Sequence, residues 1–221
     1  MYHLTSADQQ LILFLFVFLY LRLAIKLPMT KDKLIYYIQQ VLPMSRLRAE
    51  QVAARFNPKE VKKNMLALKA GTVCRESHFI EKGILRSYTY DINGNEITTS
   101  FFSANSYCSD LLSFFKQAPA KEYIQAITDC DTWYITYEDM QESFHTVPEF
   151  REFGRLNLVS QYSLLKERML SNLQESAEKR YTDLISAHPE IIQHVPLKYI
   201  ASYLGIADTS LSRIRKETLK K

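Results

Sequence analysis

A chain of 221 residues that is 47% hydrophobic and 24% charged has the composition of a folded protein with one large or two modest cores, and intrinsic disorder is excluded as its general state. A formal charge of +4 permits a nucleic-acid partner without arguing for one, and five glycines leave no room for a glycine-rich phosphate loop. The three cysteines, Cys74, Cys108 and Cys130, lie far apart with no CxxC and no Cys/His cluster. That spacing speaks against a zinc or iron–sulfur site and for a reduced, cytoplasmic setting.

The run from Leu11 to Leu21, LILFLFVFLYL, carries no charge but falls short of the ~20 residues a membrane helix needs. MYHLTSADQQ lacks a basic leader and no small-residue cleavage site follows, so a signal peptide fits poorly. Met29 opens MTKDKL, which resembles the start of a soluble chain. Residues 1–28 therefore read as an apolar extension ahead of that start, with a membrane tether as the alternative.

Residues 31–63 read as helical: Leu34, Ile35, Ile38, Val41 and Leu42 recur at helical spacing, Pro43 interrupts, and a second helix runs from Arg46 to Arg55. From Met65 to Tyr137 the texture becomes β. ILRSYTY and ITTSFF flank Asn93-Gly94, whose glycine supplies the positive φ of a tight hairpin. QAITDCDTWYITY reads as a further strand pair turning at Asp129 to Asp131. Short strands at this spacing predict a sandwich or barrel rather than a parallel sheet.

From Pro148 to Gln174 one long helix is expected, with Pro148 in its first turn. Leu158, Tyr162, Leu165, Met169 and Leu173 form one apolar stripe, while Phe150, Phe153 and Leu164 lie away from it. A helix apolar on more than one side buries more than one side. One face can cover the β domain and another meet a partner helix, or both can serve a single-chain core; stripe width does not separate these. A further helix spans about 174–187, ended by His188-Pro189.

The last block, HVPLKYIASYLGIADTSLSRIRKETLKK, is the most informative. Leu197, Ile200, Ala201 and Leu204 make the inward stripe of a short helix, and Gly205 allows the left-handed turn that stops it. Ile206 anchors the turn, Asp208 or Thr209 caps the next helix, and Leu211 and Ile214 face inward. This is a helix-turn-helix pattern. The outer face of its second helix carries Thr209, Ser210, Ser212, Arg213 and Lys216, short hydroxyls and long cations suited to base edges and phosphates in a major groove. A plain helical hairpin with a solvated basic face is the bland alternative; stripe, turn glycine, cap and cationic face coincide in favour of DNA.

At this point the chain resembles a known family. LKYIASYLGIADTSLSRIRK is similar to the helix-turn-helix of Crp/Fnr-type regulators, particularly the branch common in Bacteroidetes, and FIEKGILRSYTYDINGNEITTSFF is similar to their cyclic-nucleotide-binding-like β-roll. The resemblance covers about 30–221. It implies an α+β protein in which residues 29–147 form the β-roll, 148–173 a dimerisation helix (Leu158, Tyr162, Leu165, Met169) and 174–221 a winged helix-turn-helix. It further implies a homodimer on double-stranded DNA, a cytoplasmic transcription factor with RNA polymerase as a further partner, and base-reading positions near Asp208, Thr209 and Arg213. Asp208 departs from the arginine typical there, and the chain ends so soon after the second helix that wing strands would have to precede it.

The sensor departs further. Where cAMP-binding members hold ribose and phosphate with Gly-Glu and Arg-Ser pairs, this chain has YCSDLLSFFKQAPAKEYIQAI. Asp110 stands in for the Glu, and Ala120 and Lys121 occupy the Arg-Ser region. Lys121 offers a point charge without the bidentate fork of arginine. The expectation is therefore a pocket at Asp110 and Lys121 that does not take cAMP, with another effector or none, and no cofactor. The N-terminal cysteine cluster of iron–sulfur sensors is missing. Asp110, His78 and His145 are the ionisable candidates for catalysis, but no catalytic spacing, metal motif or phosphate loop accompanies them, so an enzyme is not expected. A ligand-binding module whose C-terminus is only structural remains the competing function.

Overall fold

In the computed structural model, residues 29–218 are described. The chain divides into two units, Met1–Thr30 and Lys31–Lys221. Of the first, only Met29 and Thr30 are described, so the apolar extension 1–28 lies outside the described residues. All that follows concerns the second unit.

Helix α1, Asp32–Val41, buries Leu34, Ile35 and Ile38. Helix α2, Arg46–Ala53, starts at Ser45, whose hydroxyl accepts from Arg48 N. The helical reading of residues 31–63 then fails, because Asn57–Val61 is strand β1. Only Val61 of this segment is buried, so side-chain pattern gives it away poorly; it is held by antiparallel pairing to β8, Cys130–Thr136, with Asn57 opposite Tyr134.

The remaining strands are β2 Leu66–Leu68, β3 Glu76–Lys82, β4 Leu85–Tyr90, β5 Glu96–Phe102, β6 Ser106–Cys108 and β7 Tyr123–Ala126, with the short helix α3, Leu111–Lys116, between β6 and β7. They form two four-stranded antiparallel sheets, β1-β8-β3-β6 and β2-β7-β4-β5. Consecutive strands alternate between sheets except at the β4–β5 hairpin, so the chain is rolled rather than pleated up and down. This overturns the expected pairing of β7 with β8: the turn at Asp129 passes between sheets, and β7 pairs with β2 and β4 while β8 pairs with β1 and β3.

The β4–β5 hairpin forms as expected. Gly94 has φ +82, and the Asp91 carboxylate accepts from the backbone N–H groups of Asn93 and Asn95. Gly83, at the crossing from β3 to β4, is the tightest glycine: its φ is +99, and an added Cβ would lie 2.5 Å from the Asp129 carbonyl oxygen.

Between the sheets lies an apolar core that includes Val61, Leu68, Ile80, Leu85, Phe114 and Ile124, together with three free cysteines, Cys74, Cys108 and Cys130. Burial pushes all three thiols above their usual range. On the outer face of the first sheet, Tyr37 from α1 packs on Phe79 and Tyr107, and its hydroxyl donates to Asn157 Oδ1.

Asn157 belongs to α5, Pro148–Gln174, which follows α4, Tyr137–Thr146. Phe150 and Phe153 anchor the first turns of α5, as an apolar second face requires. Then come α6 Ala177–Ala187, α7 Pro189–His194, α8 Leu197–Leu204 and α9 Asp208–Thr218. Helix α6 starts three residues later than the sequence suggested because Ser176 caps it, accepting from Lys179 N. Helix α7 was not anticipated. Among the described residues no strand follows Thr136, so the wing implied by the resemblance is not formed there.

Candidate nucleic-acid interface and sensor pocket

The α8–α9 pair is built as its sequence demands. Ile200, Ala201, Leu204 and Leu211 are fully or almost fully buried, and Ile206 and Ile214 pack against them. Gly205 takes φ +67, and Ile206 N donates to Ala201 O across the turn. Ala201 is completely buried, where a larger side chain would hold the two helices apart. Asp208 is the first residue of α9 rather than a cap ahead of it, and places its carboxylate in the first turn, where the helix dipole favours an anion.

The outer face of α9 is open. Asp208, Thr209, Ser212, Arg213 and Lys216 are exposed, whereas Ser210 is half-buried and turned partly inward. Among the described residues Arg213, Arg215 and Lys216 make no ion pair. Cations that form no ion pair among the described residues, displayed beside short hydroxyls on one helix, are suited to phosphates and base edges.

Sequence reasoning missed what holds this unit. Arg180 of α6 donates to Leu204 O at 2.9 Å and to Glu175 O at 2.7 Å, and Arg168 of α5 donates to Tyr203 O. Two guanidinium groups thus satisfy the free carbonyls at the C-terminus of α8, where the dipole favours cations. Burial lowers the pKa of Arg168, while Tyr203 and Glu122 oppose that shift.

Asp110 and Lys121 make separate contacts. The Asp110 carboxylate caps α3, accepting from Ser113 N at 3.0 Å. Lys121 is exposed; its backbone carbonyl accepts from Thr89 Oγ1, and no hydrogen bond or ion pair joins it to Asp110. The neighbouring Glu122, in the bend that leads into β7, is half-buried, whereas Lys121 is exposed. Glu122 faces Ser87 and Thr99, whose hydroxyls lie 2.7 Å apart. Burial raises its carboxyl pKa, and Asp110 adds to the rise. A carboxyl group at this place repels a phosphate when charged.

Two cavities lie near this region. One of about 200 Å³ opens inside the roll and is lined by Lys59, Lys69, Arg75, Glu76, His78 and Ser109 among others. The other, about 70 Å³, lies among Phe56, Phe115, Phe144, Phe150 and Leu158. His78 is buried in β3: Nε2 sits 3.1 Å from the Glu76 carboxylate and Nδ1 3.1 Å from Thr132 Oγ1. No hydrogen bond or ion pair connects His78, His145 and Asp110. On the long helix, Leu158, Tyr162, Leu165 and Met169 are all about half or more exposed.

Residues 58–146 match the family model of the cyclic nucleotide-binding domain. No curated protein matches the chain in sequence. Among solved structures, the chain is similar to the c-di-GMP-responsive global regulator CLP of Xanthomonas campestris, with a TM-score of 0.63 and 15% identity, covering 80% of this chain and 92% of that one. It is similar to FixK2 from Bradyrhizobium japonicum, with a TM-score of 0.63 and 14% identity over 75% and 85% of the two chains. A protein from Eubacterium rectale, described as a transcriptional regulator of the crp/fnr family, gives a TM-score of 0.61 and 18% identity over 82% and 88%. At such identities the likeness is one of fold, and it takes in more of the chain than the roll alone. Among the described residues, no helix is long and apolar enough to cross a membrane.

Proposed function

From a cyclic-nucleotide-binding fold over residues 58–146 followed by a helical C-terminal part, we propose that this protein is a sequence-specific DNA-binding transcription regulator of the Crp/Fnr type. The observation that carries the reading is the open outer face of α9, with Arg213 and Lys216 in no ion pair among the described residues beside Thr209 and Ser212, mounted on a turn closed by Gly205. Asp208 and Ser210 flank that face. In this reading residues 174–221 read DNA and residues 29–147 form the sensor. The exposed α5 stripe of Leu158, Tyr162, Leu165 and Met169 packs against a second copy, because so long an apolar face is costly to leave in water. The setting is the cytoplasm, and RNA polymerase is the partner through which bound protein acts.

Glu122 supports an effector other than cAMP. A buried phosphate needs a cation or helix N-terminus, and the half-buried Glu122 carboxyl beside Ser87 and Thr99 supplies neither.

Selection of bound sequences from a random duplex library tests this function. The expected product is a palindromic site whose affinity falls steeply with salt. Arg213→Ala should weaken that site by about 10- to 100-fold, as loss of a bidentate base contact does. Salt-insensitive binding, or an unchanged site affinity in Arg213→Ala, would refute it. The roll cavity favours a second reading, a ligand-binding module without a DNA role; it predicts thermal stabilisation by a small molecule and no enriched duplex.

A further inference from the structure

One face of α8 packs on α9, and its other face is tied to the roll. Tyr199, Ser202 and Tyr203 recur at i, i+3 and i+4 and point at the edge strand β5 and its neighbour β4. The Ser202 hydroxyl accepts from Thr98 N at 2.8 Å and donates to Glu96 O at 2.9 Å. It thus takes a donor and an acceptor of the sheet edge, as an added strand would. Thr98 is 1% exposed, so its N–H has no recourse to water. Tyr199 lies over the Arg86 guanidinium at 3.4 Å, and Tyr88 lies on that group at 4.2 Å. Tyr203 packs on Phe101 of β5 at 5.0 Å and on the Arg168 guanidinium at 3.9 Å. Below these contacts the apolar core is shared, with Ile84 and Ile127 of the roll touching the cluster of Ile200, Leu204 and Leu211.

These contacts hold the reading unit without covering it, since the outer face of α9 stays exposed. In a two-fold dimer the separation and tilt of the two recognition helices decide which half-site spacing both can enter at once. We propose that Ser202 and Tyr199, docked on Thr98, Glu96 and Arg86, are positioning residues that set the half-site spacing this protein accepts. The proposal rests on the dimeric DNA-binding reading above. It assigns the role to residues that face away from DNA.

The test uses the full-length protein and a panel of duplexes carrying the selected half-site twice, the separation changed one base pair at a time. Affinity for each duplex is measured by fluorescence anisotropy for the wild type, Ser202→Ala, Tyr199→Leu and Ser202→Thr, each checked by circular dichroism for native helix content. The wild type should prefer one spacing. Ser202→Ala and Tyr199→Leu should lose about tenfold of that preference while keeping the half-site sequence they select, because a buried donor or the ring stack has been removed. Ser202→Thr keeps the hydroxyl and should keep the spacing profile. Variants that bind more weakly at every spacing by one common factor, or that match the wild type throughout, overturn the positioning role. A wild type that binds no duplex, or binds half-sites equally at all spacings, overturns the dimeric reading itself and this role with it.

Discussion

Replacing Arg86 with methionine should destabilise the protein by about 3 to 4 kcal/mol. Arg86 is 1% exposed. Its guanidinium donates to Gln125 Oε1, Thr98 Oγ1 and Glu96 Oε2, and stacks on the rings of Tyr88 and Tyr199. Methionine refills the stem volume, so cavity formation contributes little. What remains is the loss of the cation from a buried pair, about 3 to 5 kcal/mol when the partner is left fully enclosed. Glu96 is 36% exposed, so water recovers part of that loss, and the sum falls at the lower end. Two cation–π contacts add about 1 kcal/mol. For a chain of this size each kcal/mol lowers the melting temperature by about 2–4 °C, so Tm should drop by roughly 6–16 °C. Removing both charges, in Arg86→Met with Glu96→Leu, should recover about half of the loss, since a buried pair replaced as a whole costs far less than one broken in half. Arg86→Lys should not rescue, because an ammonium cannot span the acceptors as a planar fork does. Urea denaturation of these proteins and of Glu96→Leu alone measures each value. A single-variant cost below about 1 kcal/mol, or additivity in the double variant, would refute the reasoning.

The Glu76 carboxyl is held down to about 2 by hydrogen bonds to His78 and Lys59, against an ordinary value of 4.5. Its contribution to stability is therefore complete above about pH 4.5 and lost as the pH falls towards 2, and urea midpoints of Glu76→Gln should fall less over that window than those of the wild type. Gly83→Ala should destabilise by about 3 kcal/mol or more, since it meets backbone at φ +99, whereas Gly94→Ala, in open space at φ +82, should cost only about 1 kcal/mol; thermal melts separate the two. Leu165→Glu should place a charge in the α5 stripe and shift sedimentation from dimer to monomer without lowering helix content, and an unchanged sedimentation coefficient would argue against that face as the dimer contact.

The α8–α9 pair was legible because everything that defines it is local. Leu197, Ile200, Ala201 and Leu204 lie within eight residues, and Gly205 marks the stop by its own conformational freedom. The β4–β5 hairpin was legible for the same reason, as Asn93-Gly94 and Asp91 set the turn between neighbours. Strand partners were not legible, because β8 pairs with a strand that ends about seventy residues earlier and its nearest neighbour in sequence lies in the other sheet. β1 does not read as a strand because Pro58, Lys59 and Glu60 give no apolar alternation, and its place is fixed by backbone pairing alone. Near Asp110, attention to charge type singles out Lys121, which is exposed, and passes over its neighbour Glu122, which is half-buried against Ser87 and Thr99. The docking of α8 had no sequence signal beyond two tyrosines and a serine on the helix face opposite the one that packs on α9.

The three thiols inside the roll give the molecule its own clock. Burial holds Cys74, Cys108 and Cys130 protonated, and a protonated, enclosed thiol does not react with an alkylating reagent. Each modification event therefore counts one local opening of the roll, much as amide exchange does. Cys74 and Cys108 line the 200 Å³ cavity and Cys130 does not, so their relative rates distinguish breathing at the cavity mouth from separation of the sheets. A molecule that fills the cavity would slow the first two and leave the third unchanged, which makes the unmodified protein a sensor for whatever occupies its roll.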